Sequence, residues 1–122
     1  MFVLLTIIMM KLIVKKPWGK FVQYTHNEKT TVKIIEVRPS GILSLQSHKK
    51  RKEFWAILEG NPVVTVGSMK MKLKKGDEVE IAKGKKHRIE NHSKSLVRFL
   101  EISFGSFDEN DIKRYEDKYG RI

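Results

Sequence analysis

Residues 43–60 read LSLQSHKKRKEFWAILEG, and their pattern decides the fold. From Leu43 to His48 apolar and polar residues alternate. That places Leu43 and Leu45 on one face of a strand and Ser44, Gln46 and His48 on the other. A basic loop, Lys49 to Lys52, leads into a second strand, Glu53 to Glu59, which stops at Gly60. Upstream, Thr30 to Arg38 is rich in β-branched residues and closes at the turn Pro39-Ser40-Gly41. Downstream, Pro62 to Val66 and Lys70 to Leu73 flank Gly67 and Ser68, a hairpin signal. Lys75-Gly76-Asp77 is a turn before the strand Glu78 to Ala82, Gly84 introduces Lys86 to Asn91, and Leu96 to Phe104 is the last long strand. Turns at this spacing with no helix between them predict an all-β antiparallel sandwich or barrel. Only the end has a helical pattern. Asp108 suits an N-cap, Glu109 and Asp111 suit a first turn and Gly120 suits a terminator, so a short C-terminal helix is expected.

Composition narrows the function classes. The 122 residues carry 25 Lys+Arg against 14 Asp+Glu, a net charge of +11, and contain no cysteine. Disulfides, thiolate metal sites and cysteine nucleophiles are excluded together. The charge favours an anionic partner: nucleic acid, an acidic membrane or a phosphorylated small molecule. Lysines are spread over every turn and strand, without the basic stripe and interleaved aromatics of a nucleic-acid surface, so nucleic acid is not expected. Trp18 and Trp55 read as core or pocket wall. Abundant Lys with Glu is a composition reported for thermophile proteins. Residues 1–10, MFVLLTIIMM, are apolar but too short to span a bilayer as a helix and lack the flanks of a signal peptide. No membrane partner and a cytoplasmic location are therefore expected. Met9 and Met10 are alternative starts to Met1. The division expected is 1–15 as an N-terminal strand that pairs at a sheet edge or in a homodimer, and 16–122 as a single domain.

The chemistry lies in the polar residues on strand faces. Gln46 and His48 share one side of a strand, Glu53 opens the next, and His87 opens a later one. An amide oxygen, two imidazoles and a carboxylate form a nitrogen and oxygen set suited to a divalent metal. His26 and His92 have no partner on the same face and read as ordinary hydrogen-bonded histidines.

These residues fall in two motifs that resemble those of the cupin superfamily. The first is G-(x)5-H-x-H-(x)3,4-E-(x)6-G, matched here by Ser40, Gln46, His48, Glu53 and Gly60. The second is G-(x)5-P-x-G-(x)2-H-(x)3-N, matched by Gly76, Ala82, Gly84, His87 and Asn91. Three residues differ and every spacing holds. Gln46 in place of the first His, Glu53-Phe-Trp55 and His87-Arg-Ile-Glu-Asn91 are similar to one branch, the isomerase domain of type II phosphomannose isomerases. That domain is usually fused behind a mannose-1-phosphate guanylyltransferase. Lys16-Pro-Trp-Gly19 and the stretch Asp111 to Arg121 are similar to the start and end of that domain. No nucleotidyltransferase domain or Gly-rich phosphate loop is found in these 122 residues, so the chain is not expected to make a sugar nucleotide.

The resemblance implies a cupin fold, a double-stranded β-helix. It also implies isomerisation of mannose 6-phosphate and fructose 6-phosphate through an enediol. Gln46, His48, Glu53 and His87 are the implied ligands of one divalent metal, with zinc the first choice and cobalt, manganese, nickel or iron as alternatives. Proton transfer needs a side chain, and Glu101, a carboxylate interrupting an apolar strand, and Lys50 are the two choices. Glu101 could equally pair with Arg38 or Lys33 on a sheet face. Arg51, Arg88 and Arg121 are the choices for the substrate phosphate, because a guanidinium meets phosphate in a bidentate fashion. Where relatives commonly carry further histidines after the first motif, this chain has Lys49 and Lys50. A second function class therefore stands beside the enzyme: a non-catalytic, metal-containing module that binds a sugar phosphate.

Overall fold

The computed structural model describes residues 11–122 and the backbone of residues 6–8. Residues 1–5, 9 and 10, which include part of the expected N-terminal strand and all three candidate starts, lie outside the described residues. Twelve strands follow one another: β1 (Thr6–Ile8), β2 (Lys11–Lys16), β3 (Gly19–Gln23), β4 (Thr30–Val37), β5 (Leu45–Ser47), β6 (Lys52–Glu59), β7 (Val63–Val66), β8 (Met69–Lys72), β9 (Glu78–Ile81), β10 (His87–Glu90), β11 (Val97–Phe104) and β12 (Lys113–Glu116). They form three antiparallel sheets, ordered β1-β2-β3, β12-β5-β10-β7-β8 and β4-β11-β6-β9. β1 pairs with β2 within its own chain. The Gly67-Ser68 hairpin joins β7 to β8 as expected, with Gly67 at φ 60°, a left-handed angle that glycine adopts without strain.

Alternation decides what lies between the two larger sheets. In β6 and β11, Ile57 stands opposite Phe99, Trp55 opposite Glu101, and Glu53 opposite Ser103. Cross-strand partners point to the same face, so these six side chains form one inward stripe. At one end Trp55, Ile57, Val79, Ile81, Val97 and Phe99 pack against Val64 and Ile89 of the opposite sheet in a single buried cluster. At the other end the stripe turns polar while remaining buried: Glu53, Glu101 and Ser103 are all inaccessible. An apolar plug at one end and buried polar groups at the other set the site at one mouth of the barrel. On the outer face, Phe54, Ile102 and Phe104 form a second cluster beneath Tyr24, whose hydroxyl donates to Glu78.

The C-terminal helix expected from Asp108 to Gly120 is absent, and the described residues contain no helix. Asp108 does cap its neighbours, but in a turn: it accepts from the amides of Asn110 (2.9 Å) and Asp111 (3.0 Å). Asp111 is used elsewhere, its carboxylate accepting from the amides of Lys49 and Lys50. The segment that follows extends as β12 and pairs with β5, Lys113 opposite Ser47 and Arg114 opposite Gln46. The Tyr115 hydroxyl reaches Ser47 Oγ at 3.0 Å. Asp, Asn and Gly serve turns as readily as caps. An otherwise open edge of β5 gives this segment ladder bonds that a short isolated helix lacks.

Candidate metal centre

Glu53 is the hub of the polar mouth. It opens the inward stripe of β6 at 2% exposure, and both of its oxygens are held. Oε1 accepts from the Trp55 indole at 3.1 Å, and Oε2 accepts from Arg51 Nε at 2.9 Å. Two imidazoles face it, His48 Nε2 at 3.5 Å from Oε2 and His87 Nε2 at 3.7 Å from Oε1. One ligand atom from each of His48, Glu53 and His87 lies within 4.8 Å of the others, and all three residues are buried.

The second ring nitrogen of each histidine is already engaged. His48 Nδ1 lies 2.6 Å from the Asp111 carbonyl, and His87 Nδ1 lies 2.9 Å from the Lys85 carbonyl. A carbonyl only accepts, so each Nδ1 donates, and in the neutral ring each Nε2 keeps its lone pair toward Glu53. Burial lowers the pKa of both rings, which favours that neutral form. Two neutral imidazoles with fixed tautomers beside a buried carboxylate make a donor set that fits a divalent cation such as zinc. Gln46 stands directly opposite His87 in the β5–β10 ladder, and its amide nitrogen donates to the Ser44 carbonyl at 3.4 Å. Three of the four expected ligands thus converge, and the fourth is the cross-strand neighbour of one of them.

Glu101 belongs to the same mouth. It lies diagonally across from Glu53, opposite Trp55 on one side and Lys33 on the other. Ser103 Oγ donates to its Oε1 at 3.4 Å. Burial, with the Glu53 charge second, raises the Glu101 pKa from the ordinary 4.5 to about 7. Lys50, the other choice for proton transfer, is exposed at the rim, and its amide is bonded to Asp111.

The three arginines chosen for phosphate do not converge. Arg51 is turned inward and buried, on Glu53 and His48. Arg88 alternates with His87 along β10 and so lies on the opposite face, bonded to the Leu43 carbonyl and Glu116. Arg121 is bonded to Asp117 and lines a cleft of about 370 Å³ with Arg38, Gly41 and Tyr119, which none of the ligand residues enters.

The structure also brings in residues that the sequence reading passed over. Arg114 stands opposite Gln46, which in turn stands opposite His87, so these three lie in one cross-strand row. Its Nε is buried and has no protein partner. Residues 105–111 form a strap beside the cluster. Phe107 lies between Lys33 Nζ (3.9 Å from the ring centre) and the Arg51 guanidinium (4.4 Å). The Asp108 carbonyl accepts from Arg51, and the Asp111 carbonyl orients His48. A strand pattern at Lys113–Glu116 was the one signal that would have found Arg114.

Comparison with known proteins places the chain in a family. The profile of the family described as mannose-6-phosphate isomerase C-terminal matches residues 7–117. The chain belongs to this family. Mannose-1-phosphate guanylyltransferase ManC of Salmonella typhimurium is 36% identical over 110 residues, covering 89% of this chain and 23% of that protein. Xanthan biosynthesis protein XanB of Xanthomonas campestris is 37% identical over 109 residues, covering 88% and 23%. The chain therefore spans about a quarter of the length of these relatives. A cupin from Bacteroides fragilis superposes with a TM-score of 0.57 at 30% identity, over 65% of this chain and 70% of that one. The fold is accordingly a cupin double-stranded β-helix. Among the described residues no helix is long and apolar enough to cross a membrane.

Proposed function

We propose that this chain is a metal-dependent aldose–ketose isomerase acting on mannose 6-phosphate and fructose 6-phosphate. One observation carries the reading. The buried cluster His48, Glu53 and His87 lies beside Glu101, a buried carboxyl on the same inward face as Glu53 whose pKa burial raises to about 7. Metal ligands alone suit many cupin chemistries. A carboxyl that both takes and returns a proton near neutral pH suits a reaction that moves one between adjacent carbons.

His48, Glu53 and His87, with Gln46 beside them, would hold a divalent metal, which when bound supplies a Lewis acid for the substrate's C1 and C2 oxygens. Glu101 removes the C2 proton as a carboxylate and, now protonated, delivers it to C1, while the O2 hydroxyl proton passes to O1 through the enediol. The Ser103 hydroxyl holds one of its oxygens during the exchange, and Lys33 opposite offsets its charge. Trp55, buried at 2% exposure and nearly perpendicular to the His87 ring, keeps water from that side of the cluster. Arg114, in the row with Gln46 and His87 and with an unpartnered Nε, is the cation best placed to meet the anionic end of the substrate.

A coupled assay of mannose 6-phosphate isomerisation tests this. Protein reloaded with zinc or cobalt should turn over, and chelator should abolish the rate. Lys49 and Lys50, standing where relatives carry histidines, favour one other reading: a non-catalytic sugar-phosphate module. Metal and sugar-phosphate binding without turnover would select it.

A further inference from the structure

Arg51 was read from the sequence as a substrate contact, yet its guanidinium is 7% exposed and makes four interactions inside the protein. Nε donates to Glu53 Oε2 at 2.9 Å, Nη2 lies 3.2 Å from His48 Nε2, Nη1 donates to the Asp108 carbonyl at 3.2 Å, and the planar group lies 4.4 Å from the Phe107 ring centre. The second of these decides its role. His48 Nδ1 donates to Asp111, so Nε2 is the acceptor, and an Arg N–H points at the lone pair that would bind a metal. Arg51 thus holds, with one fork, one oxygen of Glu53 and the His48 nitrogen that faces it. A residue that merely orients a histidine ligand would bond its far nitrogen, as the Asp111 and Lys85 carbonyls do for His48 and His87.

We propose that Arg51 is a resident counter-cation that competes with the metal for Glu53 and His48, so that loading the centre expels its guanidinium. This inference rests on the metal-centre reading above. The buried Glu53 carboxylate needs a positive partner whether or not metal is bound, and Arg51 supplies one that can be exchanged. His48 Nε2 has a single lone pair, which accepts from Arg51 or binds a metal but not both, so metal entry and the inward position of Arg51 exclude each other. The same guanidinium ties down the Phe107–Asp108 end of the strap. Its departure removes the Asp108 bond and one side of the stack on Phe107, while the Asp111 end stays fixed on His48. Metal binding therefore loosens residues 105–109.

The test is the metal affinity of Arg51→Met, which keeps length and loses the charge, and of Arg51→Lys, which keeps charge and loses the fork. Affinity is read for Co2+ from its visible absorption and for Zn2+ by competition with a chelator. Arg51→Met should bind Co2+ about tenfold or more tightly than the parent, the fold-change of one charge-assisted hydrogen bond that the metal no longer displaces. Arg51→Lys should fall between. In chelator, Arg51→Met should melt lower than the parent and recover on adding Co2+. Weaker binding by Arg51→Met would show Arg51 supporting the ligands, overturning the inference while the metal centre stands. Absence of metal binding by the parent and both variants would overturn the centre itself. If Arg51→Met does not fold, hydrogen exchange of the parent decides: amides of residues 105–109 should exchange faster with Co2+ than without. Slower or unchanged exchange would overturn the proposal.

Discussion

Replacing Glu101 by Gln isolates the cost of burying this carboxyl. At 7% exposure there is little solvent to screen it, and burial followed by the Glu53 charge raises its pKa from 4.5 to about 7. Below about pH 4.5 both the folded and the unfolded chain carry the proton, and Glu101 costs nothing. As pH rises toward 7, the unfolded chain gives up its proton while the fold retains it, so stability falls; above 7 the loss is complete. At about 1.36 kcal/mol for each tenfold change in proton affinity, the gap amounts to about 3 kcal/mol. Glu101→Gln removes that loss, less a part for Lys33, which loses the carboxylate opposite it. The variant should gain about 2–3 kcal/mol at pH 8 and close to nothing at pH 4. For a domain of this size that is a melting point higher by roughly 10 °C. Urea or thermal unfolding in chelator, run from pH 4 to pH 8.5, measures it. The same variant should lose about 10²–10⁴-fold in isomerisation, since an amide cannot carry the proton. A gain in stability with a loss of rate is the trade expected where a strained group is kept for chemistry. A variant no more stable than the parent at pH 8, or with the same difference at pH 4 and pH 8, would refute the reasoning.

Three other substitutions probe the surrounding frame. Asn91 is fully buried and its side chain makes four bonds, to the carbonyls of Val37 and Ser95 and with the amide and hydroxyl of Ser93. Asn91→Ala strands several of those groups and should cost about 3–4 kcal/mol in urea unfolding; a loss below 1 kcal/mol would contradict that. Ser40 occupies a position where the first motif has Gly, and its φ of 68° is left-handed. Ser40→Gly should therefore stabilise by about 1 kcal/mol, and a destabilised variant would refute the strain. Trp55→Phe removes the donor on Glu53 Oε1. Zinc affinity by chelator competition should fall about tenfold, whereas unchanged affinity would show the indole to be packing alone.

What could be read in the sequence and what could not divide along the range of the interactions. Strands such as Thr30–Val37 and Val97–Phe104 were legible because alternation is local, and so was the placement of Gln46 and His48 on one side of a strand. Spacing alone says little about His48, Glu53 and His87, and it was the resemblance to the two cupin motifs that joined them into one set; the carboxylate at Glu101 stood out against an apolar strand. The C-terminal segment was misread because Asp108, Asp111 and Gly120 satisfy helix rules locally, while the competing partner, the edge of β5, lies about 70 residues away in the chain. Arg114 was hidden by the same error, since its facing depends on being in a strand. Arg51 could not be placed from its spacing. An arginine two residues from a buried glutamate can turn outward to a substrate or inward to its neighbour, and only the packing of Phe107 and Asp108 decides between them.

The most direct test follows mannose 6-phosphate by NMR in D2O with cobalt- or zinc-loaded protein. Fructose 6-phosphate should appear, carrying deuterium at C1 to the extent that Glu101 exchanges its proton with solvent, and both conversion and label should cease with chelator. Protein with about one bound metal per chain that leaves mannose 6-phosphate unconverted and unlabelled would contradict the isomerase reading.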